Sequence, residues 1–139
     1  MAPSFEEKSV WIQLIAVLVG LAFYLVVAGR LLATGVTSVP AHAALFIPAS
    51  IAMVVVLVVG HVVAAVSSKP EGRDERDRLI AWKAEYGSSW VAAVGMLSAV
   101  TGMALGAEPV WAVHTLLISL CVSELMGYVL QLVYYRRGV

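Results

Sequence analysis

Charge is scarce in this sequence. Only 13% of its 139 residues are Asp, Glu, Lys or Arg, and nine acidic side chains cancel nine basic ones. With no net charge and no basic stripe, the chain has no electrostatic footprint for nucleic acid. Cysteine is nearly absent too. Cys121 stands alone, which excludes an intrachain disulfide and paired-thiol redox chemistry. There is no HExxH, no glycine-rich phosphate loop and no Ser-His-Asp set at an intelligible spacing. These absences argue against an enzyme and give no reason to expect a cofactor or a metal. Glu6 and Glu7 stand where a secretory signal would be basic, and the apolar run after them is too long for its hydrophobic region. No lipidation motif occurs.

What remains is apolar. Hydrophobic residues make up 61% of the chain and the mean hydropathy is +0.92. Crossing hydrocarbon takes about 20 apolar residues per helix, and the chain supplies four such stretches. The expectation is an all-α integral membrane protein occupying residues 1–139 as a single domain. Its four transmembrane helices fall at 5–34, 41–66, 74–106 and 109–135, paired as two hairpins, with the third extended into the cytoplasm from a charged loop at 67–85. Ser4 and Glu7 have capping-box spacing. Pro40 and Pro109 suit first helical turns, and Pro48 suits a kink in the second helix. Arg30 lies near the far end of the first.

The one long polar stretch is SSKPEGRDERDRLIAWKAEYGSSW, Ser67 to Trp90. Its five basic and five acidic residues cancel, so it is a poor trap for anionic lipid. Pro70 and Gly72 break one helix and acidic residues crowd the start of the next. Asp74 and Glu75 are placed to pair with Arg78 along that helix. Leu79, Trp82 and Tyr86 share a face, with Ile80 beside them, at a level where Trp and Tyr favour the headgroups. The stretch reads either as a solvated connector that fixes topology or as a docking face for a cytoplasmic partner through Arg73, Asp74, Glu75, Arg76, Asp77 and Arg78. The run DERDRLIAWKAEYGSSWV resembles the loop of a family of small predicted prokaryotic four-span membrane proteins of unknown function. There an Asp-Glu-Arg motif opens a helix that passes through a Lys into a span; the matching positions are Asp74, Glu75, Arg76 and Lys83. The resemblance implies four helices and a bacterial or archaeal inner membrane, and it brings no activity.

Orientation follows from Lys and Arg. Lys8, the basic residues of the central loop, Arg136 and Arg137 fall on one side, and Arg30 alone on the other. Both termini and the loop are therefore expected in the cytoplasm of a prokaryotic cell. Glu6–Ile12 and Glu85–Val91 share Glu, Ser and Trp in register, which suggests parallel duplicated hairpins. In the third helix Gly95, Ser98, Gly102 and Gly106 form a small-residue face that lets another helix approach, either within the chain or in a homo-oligomer.

Glu124 is the residue that needs explaining. It falls near the middle of the fourth span, where an ionised carboxylate is costly. His114, Leu117, Cys121, Glu124, Tyr128, Gln131 and Tyr135 follow a 3,4 spacing that makes one helical seam. Glu124 reads in three ways: a neutral acid hydrogen-bonded inside the helices to Tyr24, Ser98 or Thr101; a proton- or cation-coupled binding site; or a contact with another subunit. His61 and His114 sit at opposite depths and cannot share one iron. His42, Glu108 and His114 share the outer side, a thin basis for a metal or proton site.

Two functions compete. One is a non-catalytic accessory or regulatory module that holds a protein partner at its cytoplasmic loop. The other is a small proton-coupled transporter, or ligand-binding membrane protein, that uses Glu124. Small multidrug transporters are similar in size and also carry a membrane glutamate, but in the first helix, where this chain has no acid within the span. A lipid, quinone or pigment sensor beside Trp111, Tyr128 and Tyr135 is a third reading, which interfacial aromatic belts explain more simply.

Overall fold

The computed structural model of the chain describes residues 4–67, 72 and 74–137. They form five helices: α1 (Phe5–Ala33), α2 (Val39–Ala43), α3 (Phe46–Ser67), α4 (Glu75–Ala104) and α5 (Pro109–Arg137). With α2 and α3 taken as one interrupted span, four helices are long and apolar enough to cross a membrane. The protein is an all-α membrane protein built from two hairpins.

The ends are set locally. Ser4 caps α1 by accepting the Glu7 N–H at 3.1 Å. Asp74 caps α4 in a reciprocal box with Asp77. The Asp74 carboxylate is thereby occupied, and neither Glu75 nor Arg78 meets an opposite charge among the described residues. The expected pairing along that helix does not form. At their far ends α1 and α4 stop alike. The Val36 N–H reaches the Leu31 carbonyl and the Gly35 N–H that of Leu32; Ala107 and Gly106 repeat this on Gly102 and Met103. The motif needs a left-handed residue, and Gly35 (φ 79°) and Gly106 (φ 89°) supply it.

Pro48 does more than kink the second span. Its ring crowds the carbonyl four residues back and offers it no N–H. That carbonyl belongs to Ala44, and the helix is broken at 44–45. Pro40 and Pro109 sit at helix starts as the sequence suggests.

The helices lie in an open row, α3–α1–α5–α4, rather than a closed ring. Helix α1 packs on α3 and on α5, α4 packs on α5, and α3 and α4 share no extensive contact. In α3 only Ala64 is buried. Ile51, Val54, Val55, Val58, Val59, Val62 and Val63 are all exposed, a surface suited to lipid and to no aqueous phase.

The α4–α5 seam is made of small residues: Ser88, Gly95 and Ala99 on α4, Ser123 and Gly127 on α5, all buried. Of the small-residue face expected on the third helix, only Gly95 lies in this seam. Ser98 is exposed and donates to its own Val94 carbonyl at 2.8 Å. Gly102 is half-buried and Gly106 ends the helix. The reason is periodic. The buried stripe runs through Ser88, Gly95 and Ala99, and Ser98 lies about 100° round the helix from Ala99, at its margin.

The motif that suggests duplicated hairpins does not sit at corresponding places in α1 and α4. Ser9 and Ser88 are both buried and Trp11 and Trp90 both exposed. Yet Gly35 lies 24 residues beyond Trp11, while Gly106 lies 16 beyond Trp90. Helices α1 and α4, 29 and 30 residues long, match when aligned by their ends instead.

Candidate functional site

Because α3 and α5 flank α1 without closing on each other, a cleft runs between the three. Its volume is about 400 Å³ and its walls are largely apolar: Val17, Leu21, Met53, Leu116, Leu117 and Leu120 face it, with Gly20 and Ala49 leaving room. Four polarisable or polar groups also line it, namely Tyr24, Phe46, Ser50 and Cys121.

The end of the cleft near the hairpin turns is closed by a buried polar cluster. The Tyr24 hydroxyl is 2.8 Å from His114 Nδ1. The His114 ring stands edge-on to His42, with centroids 4.9 Å apart and planes at 84°. The other His42 nitrogen, Nε2, is 2.8 Å from the Val36 carbonyl. Tyr24, His42 and His114 are each more than nine-tenths buried. His42 Nδ1 and His114 Nε2 are buried with no hydrogen-bond partner among the described residues. An unpaired buried polar atom costs about 1–3 kcal/mol. Three helices supply this cluster: Tyr24 from α1, His42 from α2 and His114 from α5. The structure thus brings together two of the three residues expected on the outer side. The third, Glu108, is exposed in the turn.

Glu124 lies elsewhere. It is exposed, one turn from the cleft residues Leu120 and Cys121 on the same side of α5. The expected internal partners are absent: Tyr24 is bonded to His114, and Ser98 and Thr101 are exposed. Tyr128 follows one turn further on, half-buried. Tyr128 itself packs with Leu125 and Tyr135 against Val10, Leu14 and Leu132. The seam read from the sequence therefore divides. His114 is buried, Tyr128 and Gln131 are half-buried, Cys121 lines the cleft and Glu124 faces outward. The seam failed as a unit because α5 has neighbours on two sides, so a single stripe does not describe its buried face.

At the opposite end, near the termini, Ser9 joins α1 to α3. Its hydroxyl is 2.9 Å from His61 Nε2 and accepts from Gln13 at 3.1 Å, while His61 Nδ1 lies 2.8 Å from the Leu57 carbonyl. His61 and His114 thus serve separate ends of the molecule. The start of α4 is tied to the end of α5: the Tyr135 hydroxyl donates to Asp77 at 3.0 Å, and Arg76 reaches the Tyr135 carbonyl at 3.5 Å. Of the docking residues read from the sequence, Asp74, Asp77 and Arg76 have these intramolecular roles, Glu75 and Arg78 are exposed, and Arg73 lies outside the described residues. Trp82 and Tyr86 stack at 6.1 Å on the exposed side of α4, whereas Ile80 is fully buried.

Among the described residues no three His, Cys, Asp or Glu side chains are grouped to hold a metal ion. Sequence reasoning missed Tyr24 as the partner of His114, and nothing in the spacing of two residues 90 positions apart reveals it.

The class of protein is thus defined by fold: an all-α membrane protein of two hairpins in an open row. No protein family, curated protein or solved structure matches the chain. The resemblance of the Asp74–Lys83 stretch therefore rests on its own residues.

Proposed function

We propose that this chain is a non-catalytic membrane module, an accessory or regulatory subunit that binds another membrane polypeptide along the open side of α5. One observation carries the reading: Glu124 is exposed in the middle of a span, fifteen residues from Pro109 and thirteen from Arg137. A carboxyl group facing lipid at that depth is costly. A partner helix that covers it and offers a hydrogen bond removes the cost. The free charges of Glu75 and Arg78 add a second contact in the cytoplasm, given both termini inside an inner membrane as the Lys and Arg distribution indicates.

The test is the mass and composition of the particle extracted gently from its native membrane. The expected result is a second polypeptide in fixed ratio, lost on Glu124→Leu and weakened by charge reversal at Arg78. A lone chain whose behaviour neither substitution alters overturns the reading. The place of Glu124, one turn from the cleft residues Leu120 and Cys121, favours one alternative, a small proton-coupled carrier. In that case vesicles show substrate-dependent proton movement that Glu124→Gln abolishes; movement that persists in this variant removes Glu124 from any such mechanism.

A further inference from the structure

The polar contact near the termini is a chain of three hydrogen bonds that runs in one direction. A carbonyl can only accept, so the 2.8 Å bond between His61 Nδ1 and Leu57 puts the ring's proton on Nδ1. The neutral ring then has its lone pair at Nε2, 2.9 Å from Ser9 Oγ, and the hydroxyl donates to it. Gln13 Nε2 donates in turn to Ser9 Oγ at 3.1 Å. Other serines use their proton differently. Ser67, Ser98 and Ser119 donate to carbonyls of their own helices, and Ser123 to the Ser88 carbonyl. A serine whose proton is held by an imidazole, with the imidazole oriented by a third group, has the arrangement of an activated nucleophile. Here the third group is a backbone carbonyl, which no side-chain motif in the sequence reveals.

We propose that Ser9 is an acyl-acceptor site, a nucleophile that takes the acyl group of an ester or thioester presented at the headgroup level. Ser9 Oγ attacks the acyl carbonyl carbon, and its proton passes to His61 Nε2. The bond from that carbon to the leaving oxygen or sulfur then breaks, and His61 returns the proton to the leaving alcohol or thiol. Ser9 is left as an ester and His61 as the neutral ring. Between these steps the acyl oxygen is negative and lies one carbon from Ser9 Oγ. The Gln13 amide carries two N–H donors for it, of which the Ser9 bond uses one. Depth selects the substrate class. Ser9 lies 26 residues before Gly35, about 39 Å along the axis at about 1.5 Å per residue, which passes beyond the hydrocarbon layer of about 30 Å into the headgroups. Trp11, exposed two residues further on, suits the same level. Ser9 is 7% exposed, and His61 and Gln13 are half-buried, so the pair lies at the edge of the α1–α3 contact. The site stands apart from the partner reading: it uses no residue of α5, and a chain that takes one acyl group onto itself turns nothing over.

The full chain in nanodiscs of diether phosphatidylcholine, a lipid without acyl esters, is treated with an alkyl fluorophosphonate. The phosphonylated serine is located by peptide mass spectrometry. Ser9 is expected to react about a hundredfold faster than Ser89 and Ser98, which are exposed but donate to their own helix; that factor is the low end for a positioned base. His61→Gln keeps a hydrogen-bonding side chain that cannot serve as a base, and it is expected to remove the advantage. Two acyl donors then identify the source: a palmitoyl thioester added to the same nanodiscs, and nanodiscs of diester phosphatidylcholine. An acyl group found on Ser9 from either donor, and absent in Ser9→Ala, supports the proposal and names the source. Ser9 no more reactive than Ser89 and Ser98, equally reactive in His61→Gln, or unacylated by both donors, overturns it. If His61→Gln does not fold, the comparison among serines and the acyl transfer on the unaltered chain decide between them.

Discussion

The two hairpins have nearly the same length and topology and are held together in different ways. In the α4–α5 hairpin both helices present small residues to each other. Ser88 faces Gly127, Gly95 faces Ser119, and the Ser123 hydroxyl donates to the Ser88 carbonyl at 2.9 Å across the seam. Backbones come close and van der Waals contact is continuous, the main source of helix affinity in lipid. In the α1–α3 hairpin close approach is confined to a few points. Gly20 meets Met53 and Gly60 meets Ile12, with the Ser9–His61 bond near the termini. Elsewhere α3 exposes branched side chains, and beside it lies the cleft. The comparison teaches that apolarity alone does not pack helices in a membrane. The more hydrophobic hairpin is the more open one, because lipid competes for its surface on equal terms.

Substitutions sharpen the contrast. A Cβ at Gly95 would overlap the Ser119 side chain, and both backbones there are fixed by neighbours above and below. Gly95→Val is expected to cost about 3 kcal/mol, the upper part of the overpacking range, read as loss of helix content on unfolding in mixed micelles. Gly60→Val also brings an overlap, though a less severe one, with Ile12 Cγ2 2.5 Å from the new Cβ. Helix α3 packs chiefly on one neighbour and can move outward, so about 1 kcal/mol is expected in the same assay, at the low end of that range. Equal losses for the two glycines would show that α3 is held as firmly as α4 and would end the comparison. The smallest effects belong to single interhelical hydrogen bonds. Ser123→Ala and Ser9→Ala are each expected to cost about 0.6 kcal/mol, the average for such bonds within a membrane. A much larger loss for Ser9→Ala would make the Ser9–His61 bond, rather than side-chain packing, the clasp of the first hairpin.

Much of this architecture is legible in the linear chain. The N-caps at Ser4 and Asp74 and the proline starts are local events, decided by residues within one turn of each other. So is the end of α1 close to Gly35. The break at 44–45 was also within reach, since Pro48 names the carbonyl it disrupts; the kink was anticipated and the full interruption was not. The site was less legible. Glu124 stands out at any reading, but its seam was drawn as though α5 had one neighbour. With α1 on one side and α4 on the other, α5 buries Ser123 and Gly127 towards α4 and Leu132 towards α1, and Glu124 is left uncovered.

The sequence by itself determined that this chain makes four spans, where each begins and ends, and that one carboxyl group falls at mid-depth. Those properties depend on composition over about 20 residues and on caps a few residues wide. Only the tertiary structure decided that the helices stand in an open row, that Glu124 faces out, and that Tyr24, His42 and His114 meet. Each of these depends on the rotation of one helix about its axis relative to another. A nearly uniform apolar surface leaves that rotation undetermined, until small residues and a few buried hydrogen bonds select one packing.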